Sequence, residues 1–187
     1  MSTPYRVAVI VGSLRKAAYT RRLAHALAGL GESRLTLGIV EIGDLPLYDQ
    51  DLDEGAAPAA WTRFRDEMKA ADAVLFVTPE HNRSVPAALK NAVDVGSRPY
   101  GASVWAGKPA AIISLTPGSL GAFGANHHLR QSLVFLDMPT LQQPEAYLGG
   151  AGSMFTDTDG FADPKTAGFM STYLARFADW IGKTAKA

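Results

Sequence analysis

Apolar runs and amphipathic stretches alternate along the whole chain. From Tyr5 the sequence closes on Val7-Ala8-Val9-Ile10-Val11, apolar at consecutive positions. A strand buried on only one face would alternate, so this run predicts a central strand of a parallel sheet over Tyr5 to Val11. Thr20 to Leu30 then sets Leu23, Leu27 and Leu30 at helical spacing and stops at Gly31. Leu35, Leu37, Ile39 and Ile42 predict a second strand, whose alternation suggests a less buried position. Gly43 to Pro58 reads as a long acidic loop, and Trp61 to Ala71 as a helix with Trp61, Phe64, Arg65 and Met68 on one side. Ala73 to Val77 is a third strand, again apolar throughout. Pro86 suits the first turn of a helix reaching about Ser97, because its missing N–H is not needed there. A fourth strand over Ala110 to Leu115, a helix over Ala125 to Leu136 and a short fifth strand over Thr140 to Gln143 follow. Gly149 to Pro164 is polar and glycine-rich, and Thr166 to Lys183 is a helix whose Phe169, Tyr173, Phe177 and Trp180 form a core-facing stripe.

Five strands alternating with five helices, without repeats or low-complexity linkers, restrict the topology sharply. Right-handed crossovers favour an α/β doubly wound five-stranded parallel sheet, flavodoxin-like in order 2-1-3-4-5, with helices on both faces. At 187 residues the chain suits one domain spanning 1–187. In such a sheet ligands bind outside the carboxyl ends of the strands, where the order reverses, so the loops leaving strands one and three border one crevice.

Those two loops carry complementary chemistry. Gly12-Ser13-Leu14-Arg15-Lys16, with Thr20 beyond it, offers a helix N-terminus, hydroxyls and a cation, which suits a phosphate. An ordinary capped turn would use the same hydroxyls only to end a helix. The dinucleotide fingerprint G-x-G-x-x-G and the Walker A pattern are both absent, which leaves a mononucleotide-type site. Thr78-Pro79-Glu80-His81-Asn82-Arg83-Ser84-Val85-Pro86 fits neither a simple strand nor a helix. Its backbone amides and Asn82 suit the polar edge of a flat ring, although Glu80 and Asn82 would also serve as helix caps. Gly118 and Gly121, after the fourth strand, permit close backbone approach to the same ring. A phosphorylated aromatic cofactor meets both requirements, and flavin mononucleotide (FMN) is the leading candidate.

Composition narrows the field further. There is no cysteine, which removes disulfides, thiolate nucleophiles and Cys-held metal or iron–sulfur centres, so redox chemistry must come from a bound cofactor. The 18 basic and 18 acidic residues balance, which argues against a nucleic-acid partner and leaves self-association unopposed. No signal-peptide segment precedes the first strand and no apolar stretch approaches the length of a membrane span, so a cytoplasmic protein is expected. His127 and His128 are neighbours that point about 100° apart on a helix and do not converge on a metal. They read as surface or interface histidines, and no metal is expected. Asp49, Asp51, Asp53 and Glu54 lack the spacing of a calcium loop and read as a solvated acidic loop.

The same motifs carry a family resemblance. Gly12-Ser13-Leu14-Arg15-Lys16, the stretch from Thr78 to Pro86, and Leu89-Lys90-Asn91-Ala92-Val93-Asp94 resemble the NADPH-dependent FMN reductase family, in its bacterial branch of ferric, chromate and quinone reductases. Leu45-Pro46-Leu47-Tyr48, Ser97-Arg98-Pro99-Tyr100-Gly101, Gly107-Lys108-Pro109, Thr116-Pro117-Gly118 and Pro144-Glu145-Ala146-Tyr147 keep the family order over nearly the whole chain. The resemblance implies non-covalent FMN, NADH or NADPH as co-substrate, and homodimers or homotetramers with flavins near the subunit boundary. It implies that Ser13, Arg15 and Thr20 hold the phosphate, that Pro79, Glu80, His81, Asn82 and Ser84 border the ring, and that Ser114, Pro117 and Gly118 close its other edge. It sets Arg98 near the nicotinamide dinucleotide and Arg130 and Glu145 at a subunit contact. His81 stands where the family usually has tyrosine.

The implied activity is hydride transfer from NAD(P)H to N5 of FMN, then two-electron reduction of small-molecule acceptors by ping-pong turnover. Quinones lead, with chromate, azo dyes and chelated ferric iron as further acceptors. No side-chain acid or nucleophile is required, so no catalytic side chain is named. The alternative is a flavodoxin-like electron carrier serving protein partners. Net neutrality and Arg15 speak against it, since such carriers tend to be strongly acidic and to lack a fixed arginine in the phosphate loop.

Overall fold

A computed structural model describes residues 3–185; residues 1, 2, 186 and 187 of the expected 1–187 unit lie outside the described residues. Five strands, β1 (Tyr5–Val11), β2 (Leu35–Val40), β3 (Ala73–Thr78), β4 (Ala110–Leu115) and β5 (Ala146–Leu148), form one sheet in the order β2-β1-β3-β4-β5. All four neighbouring pairs are parallel, with Val7 opposite Ala73 and Thr78 opposite Ser114 fixing the central registers. The helices are α1 (Tyr19–Gly29), α2 (Gln50–Glu54), α3 (Ala59–Ala70), α4 (Ala87–Gly96), α5 (Phe123–Phe135) and α6 (Pro164–Thr184).

Successive side chains of a strand point to opposite faces, so unbroken apolar runs need a core on each side. Val7, Val9, Leu75, Val77, Ile113 and Leu115 pack under α1 and α6, where Leu23, Leu27, Tyr173 and Phe177 meet them. Ala8, Ile10, Val74, Phe76 and Ile112 face α3, α4 and α5, with Trp61, Phe64, Leu89, Trp105 and Leu129. The predicted stripe on the last helix divides accordingly. Tyr173 and Phe177 are fully buried, and Phe169 and Trp180 are partly buried against the same core.

Two expectations need correction. The fifth strand lies at Ala146–Leu148, not at Thr140–Gln143. Thr140 makes only an isolated bridge to Ala110, with Leu141 N–H donating to the Ala110 carbonyl at 2.8 Å. The chain then leaves the sheet and rejoins it opposite Ile113. Pro139 and Pro144 bracket this excursion, and neither has an N–H to continue a ladder.

The acidic loop is not simply solvated. Asp49 caps the added helix α2 by accepting from Asp51 N–H at 3.0 Å. Asp53 is buried in a bidentate pair with Arg65, at 2.7 and 2.8 Å. The helical pattern had already turned Arg65 toward the core; its carboxylate partner lies too far off in sequence for periodicity to pair them.

Candidate active site

The crevice is built at the carboxyl end of β1, β3 and β4. Its first wall is the loop from Gly12 to Ala18. Gly12 N–H donates to Val77 O at 2.8 Å, which binds this loop to β3. A Cβ on Gly12 would stand 3.0 Å from Pro79 Cδ, 3.1 Å from Thr78 Oγ1 and 3.2 Å from Leu89 Cδ2. A side chain here would therefore force the first two walls apart.

Beyond Gly12 the features favour an anion. Helix α1 begins at Tyr19 with no side-chain cap and no acidic residue in its first turn. With neither a side-chain acceptor nor a carboxylate at this end, the helix dipole favours negative charge. Ser13 Oγ lies 3.4 Å from Arg15 N, and the Arg15 side chain stays exposed. Thr20 Oγ1, in the first turn of α1, is buried with no hydrogen-bond partner among the described residues. A buried hydroxyl without a partner is uncommon and calls for an explanation such as an incoming acceptor. Ser13 and Arg15 lie in this loop and Thr20 is the second residue of the helix it feeds, and the chemistry of the three fits a phosphate.

The second wall leaves β3 at Thr78, whose buried hydroxyl donates to Pro79 O at 2.7 Å. His81 and Ser84 exchange backbone hydrogen bonds of 3.1 and 3.0 Å. Between them Asn82 and Arg83 have φ of 51° and 64°, so the loop tip is a two-residue turn with both central residues left-handed. Asparagine tolerates this conformation; arginine gains nothing from it, and such a residue costs about 1–2 kcal/mol. The His81 amide is spent inside the turn and is not free for a ring. The His81 and Asn82 side chains are exposed, and Ser84 Oγ lies 2.9 Å from His128 Nδ1.

Glu80 caps a helix, but a different one from the helix that follows it. Its carboxylate accepts from Ala125 N–H of α5 at 3.1 Å. Gly124 leaves it room, since a Cβ there would come within 2.9 Å of both Glu80 Oε2 and Arg83 O. The third wall, Thr116 to Ala122, is held by the segment after β5. Thr116 N–H donates to Leu148 O at 3.0 Å, and Ala151 N–H to Thr116 O at 3.1 Å. Gly121, at φ 59°, packs so closely that a Cβ would lie 2.5 Å from the Tyr147 carbonyl carbon.

Pro117 and Gly118 are exposed on this wall, whereas Ser114 is fully buried. The Ser114 hydroxyl donates to Gly121 O at 2.7 Å and accepts from Asn126 Nδ2 at 3.2 Å. Ser114 shapes the wall from behind without facing the crevice.

Sequence reasoning missed the two asparagines that support these walls. Asn126 Oδ1 also accepts from Arg130 Nε at 3.0 Å, and Arg130 Nη1 donates to Leu141 O at 3.0 Å. Asn91 donates to Leu45 O and Pro46 O at 3.2 and 2.9 Å and accepts from Tyr48 N–H at 2.9 Å, pinning the loop after β2. Each sits among apolar residues on the buried face of its helix, and that polar interruption was a legible signal.

Arg130 and Glu145 meet at Tyr147 within one chain. Burial first, then hydrogen bonding to Glu145, pushes the Tyr147 phenol up to about 12, and Arg130 opposes the shift. His127 Nε2 lies 2.9 Å from the same phenol oxygen. Among the described residues no group of three or more His, Asp and Glu is arranged to hold a metal ion.

Arg98 is not part of this crevice. It lies beyond the far end of α4, in a hollow of about 340 Å³ lined by Tyr48, Gln50, Asp53, Glu54, Pro99 and Tyr100.

Residues 5–153 match the model of the NADPH-dependent FMN reductase family. The chain belongs to this family. It is 61% identical over 181 residues to a quinone reductase of Pseudomonas putida, covering 97% of each chain. It is 42% identical over 176 residues to a 2-hydroxy-1,4-benzoquinone reductase of Burkholderia, covering 94% of this chain and 96% of that one. Among solved structures, FerB of Paracoccus denitrificans, a flavoenzyme NAD(P)H:(acceptor) oxidoreductase, superposes with a TM-score of 0.92 at 41% identity, over 97% of this chain and 100% of that one.

Proposed function

We propose that the chain is an FMN-dependent NAD(P)H:quinone oxidoreductase. One observation carries the reading: a loop with an exposed arginine, beside the turn after β3, feeds an uncapped helix whose first turn holds an unpartnered buried threonine hydroxyl. When bound, FMN supplies hydride acceptance from NADH or NADPH and two-electron release to the acceptor. The chain's own residues bind and orient. Ser13, Arg15, Thr20 and the α1 N–H groups hold the phosphate. Pro79, Glu80, His81, Asn82 and Ser84 form one border of the ring, and Pro117 and Gly118 the other, with Ser114 acting through Gly121 and Asn126.

Quinones are the main acceptors, as the names of the P. putida and Burkholderia relatives suggest. Chromate, azo dyes and chelated ferric iron belong to the same proposal. Among the described residues no helix is long and apolar enough to cross a membrane, and a cytoplasmic setting is part of the proposal. So is a homodimer or homotetramer with Arg130 and Glu145 at a contact.

The test is spectroscopic. Purified protein is expected to be yellow, to bleach anaerobically with NADH or NADPH alone, and to recolour with one equivalent of a benzoquinone. Yellow protein that neither nucleotide bleaches would leave the electron-carrier reading.

A further inference from the structure

The turn after β3 holds a strain that neither packing nor hydrogen bonding accounts for. A two-residue turn with both central residues left-handed is most at ease with glycine in its second place, and here that place holds Arg83, at φ 64°. Glycine adopts this backbone freely, whereas a side chain crowds it. Residues kept in such conformations cluster at binding sites, where the work of the side chain offsets the strain. The Arg83 side chain is 76% exposed, so it fills no core. Its guanidinium donates no hydrogen bond among the described residues, and the nearest carboxylate oxygen, Glu80 Oε1, stands 3.6 Å away. The other oxygen of Glu80 is held by the Ala125 N–H at the start of α5.

Arg83 stands where two walls of the crevice meet. A Cβ on Gly124 would lie 2.9 Å from Arg83 O, so the turn rests against the first turn of α5. Phe123, next to Gly124, is exposed, and so is Leu120 on the third wall. Charge at this mouth is one-sided. The three walls, residues 12–18, 78–86 and 116–122, carry Arg15, Lys16 and Arg83 against Glu80 alone, although the whole chain is neutral. Arg15 is taken by the phosphate site and Glu80 by the α5 amide, which leaves Arg83 to act outward at the junction. A cation beside exposed apolar side chains suits a flat ring that carries a negative group. The apolar surface receives the ring, and the planar fork of the guanidinium receives an acidic substituent.

We propose that Arg83 is a specificity-determining residue for the electron acceptor, favouring quinones with an ionised substituent such as a sulfonate, a carboxylate or an acidic ring hydroxyl over neutral quinones of the same size. The proposal rests on the oxidoreductase reading and narrows its acceptor class.

The test compares a naphthoquinone sulfonate with menadione, a neutral naphthoquinone, as acceptors for the FMN-loaded protein at low ionic strength. Arg83→Gln keeps the strained backbone and removes the charge. It is expected to lose about three- to fivefold in kcat/KM for the sulfonate and nothing for menadione. Arg83→Gly should show the same loss and melt higher than the parent, because the turn is relieved. Arg83→Lys should keep most of the preference, and salt at about 0.15 M should shrink it in the native protein. The rate of anaerobic bleaching by NADPH should be the same in all four proteins, which separates the acceptor from the equally anionic donor. An unchanged sulfonate-to-menadione ratio in Arg83→Gln would overturn the proposal. So would an equal loss for both quinones, which marks the shape of the turn, or a loss confined to bleaching, which assigns the arginine to the donor. Native protein that neither nucleotide bleaches would sink the oxidoreductase reading and this proposal with it, whereas normal bleaching without an Arg83-dependent preference sinks the proposal alone.

Discussion

Arg65 is the residue whose loss should cost the fold most per atom removed. Its side chain is 8% exposed and that of its partner Asp53 only 4%. The guanidinium gives two bonds to the carboxylate and a third, through Nε at 3.0 Å, to Val95 O near the end of α4. It also lies 5.7 Å from the Trp61 ring centroid. Arg65→Ala leaves the Asp53 carboxylate buried with only the Tyr48 phenol beside it, and the Val95 carbonyl with only the Arg98 N–H, and removing one member of a buried pair costs about 3–5 kcal/mol. For a chain of this size each kcal/mol shifts the melting temperature by about 2–4 °C, so a fall of about 6–20 °C is expected.

Urea unfolding followed by tryptophan fluorescence measures the loss. The double variant Arg65→Met/Asp53→Leu separates desolvation from attraction: with neither charge left to bury, it should recover most of the stability. A loss below about 1 kcal/mol for Arg65→Ala would refute the reasoning, since that is how a solvated pair behaves. Because Val95 precedes the Arg98 turn, the variant should also raise KM for NAD(P)H more than it lowers kcat.

The same pair sets an acid limb. Hydrogen bonding from Arg65 holds the Asp53 carboxyl below its ordinary value, against the opposing effect of burial. Its stabilisation is present above the unfolded-state value and is lost as pH falls through the folded one, so Asp53→Asn should be less stable at neutral pH and flatter in acid urea titrations. Arg15→Ala should weaken FMN binding about ten- to a hundredfold by flavin fluorescence titration while leaving riboflavin affinity nearly unchanged; an equal loss for riboflavin would assign Arg15 to folding. Gly121→Ala should lose at least about 1–2 kcal/mol from its left-handed backbone alone, and more from overlap with Tyr147, with weaker FMN retention on gel filtration. Retention equal to that of the parent would show that this wall does not contact the flavin.

The sheet was legible because its strands are unbroken apolar runs. β1 and β4 begin and end where the pattern placed them, and β3 extends one residue further. The β2 and β5 edges were less so, because a strand with one neighbour needs less apolar sequence to hold it. β5 has three residues, and its bridge at Thr140 is separate from them. The turn from β1 into α1 was legible as well, since it is set by one short stretch of sequence. What escaped was cooperation between distant segments. Glu80 with α5, Asn91 with the loop after β2 and Arg65 with Asp53 are side-chain bonds to partners that only the folded topology brings near. Arg98 escaped for the opposite reason: the motif around it is local, but its position relative to the crevice depends on the length of α4.

The carboxylate of Glu80 has a mechanical consequence. It belongs to the wall after β3 and grips the first turn of α5, which continues the wall after β4. Asn126, one residue past the gripped amide, holds the Ser114 hydroxyl that in turn holds Gly121. Two sides of the crevice therefore share a single brace and cannot part without uncapping a helix. The spacing of these two walls is therefore tied to the first turn of α5, and any change that frees the Ala125 amide loosens both at once.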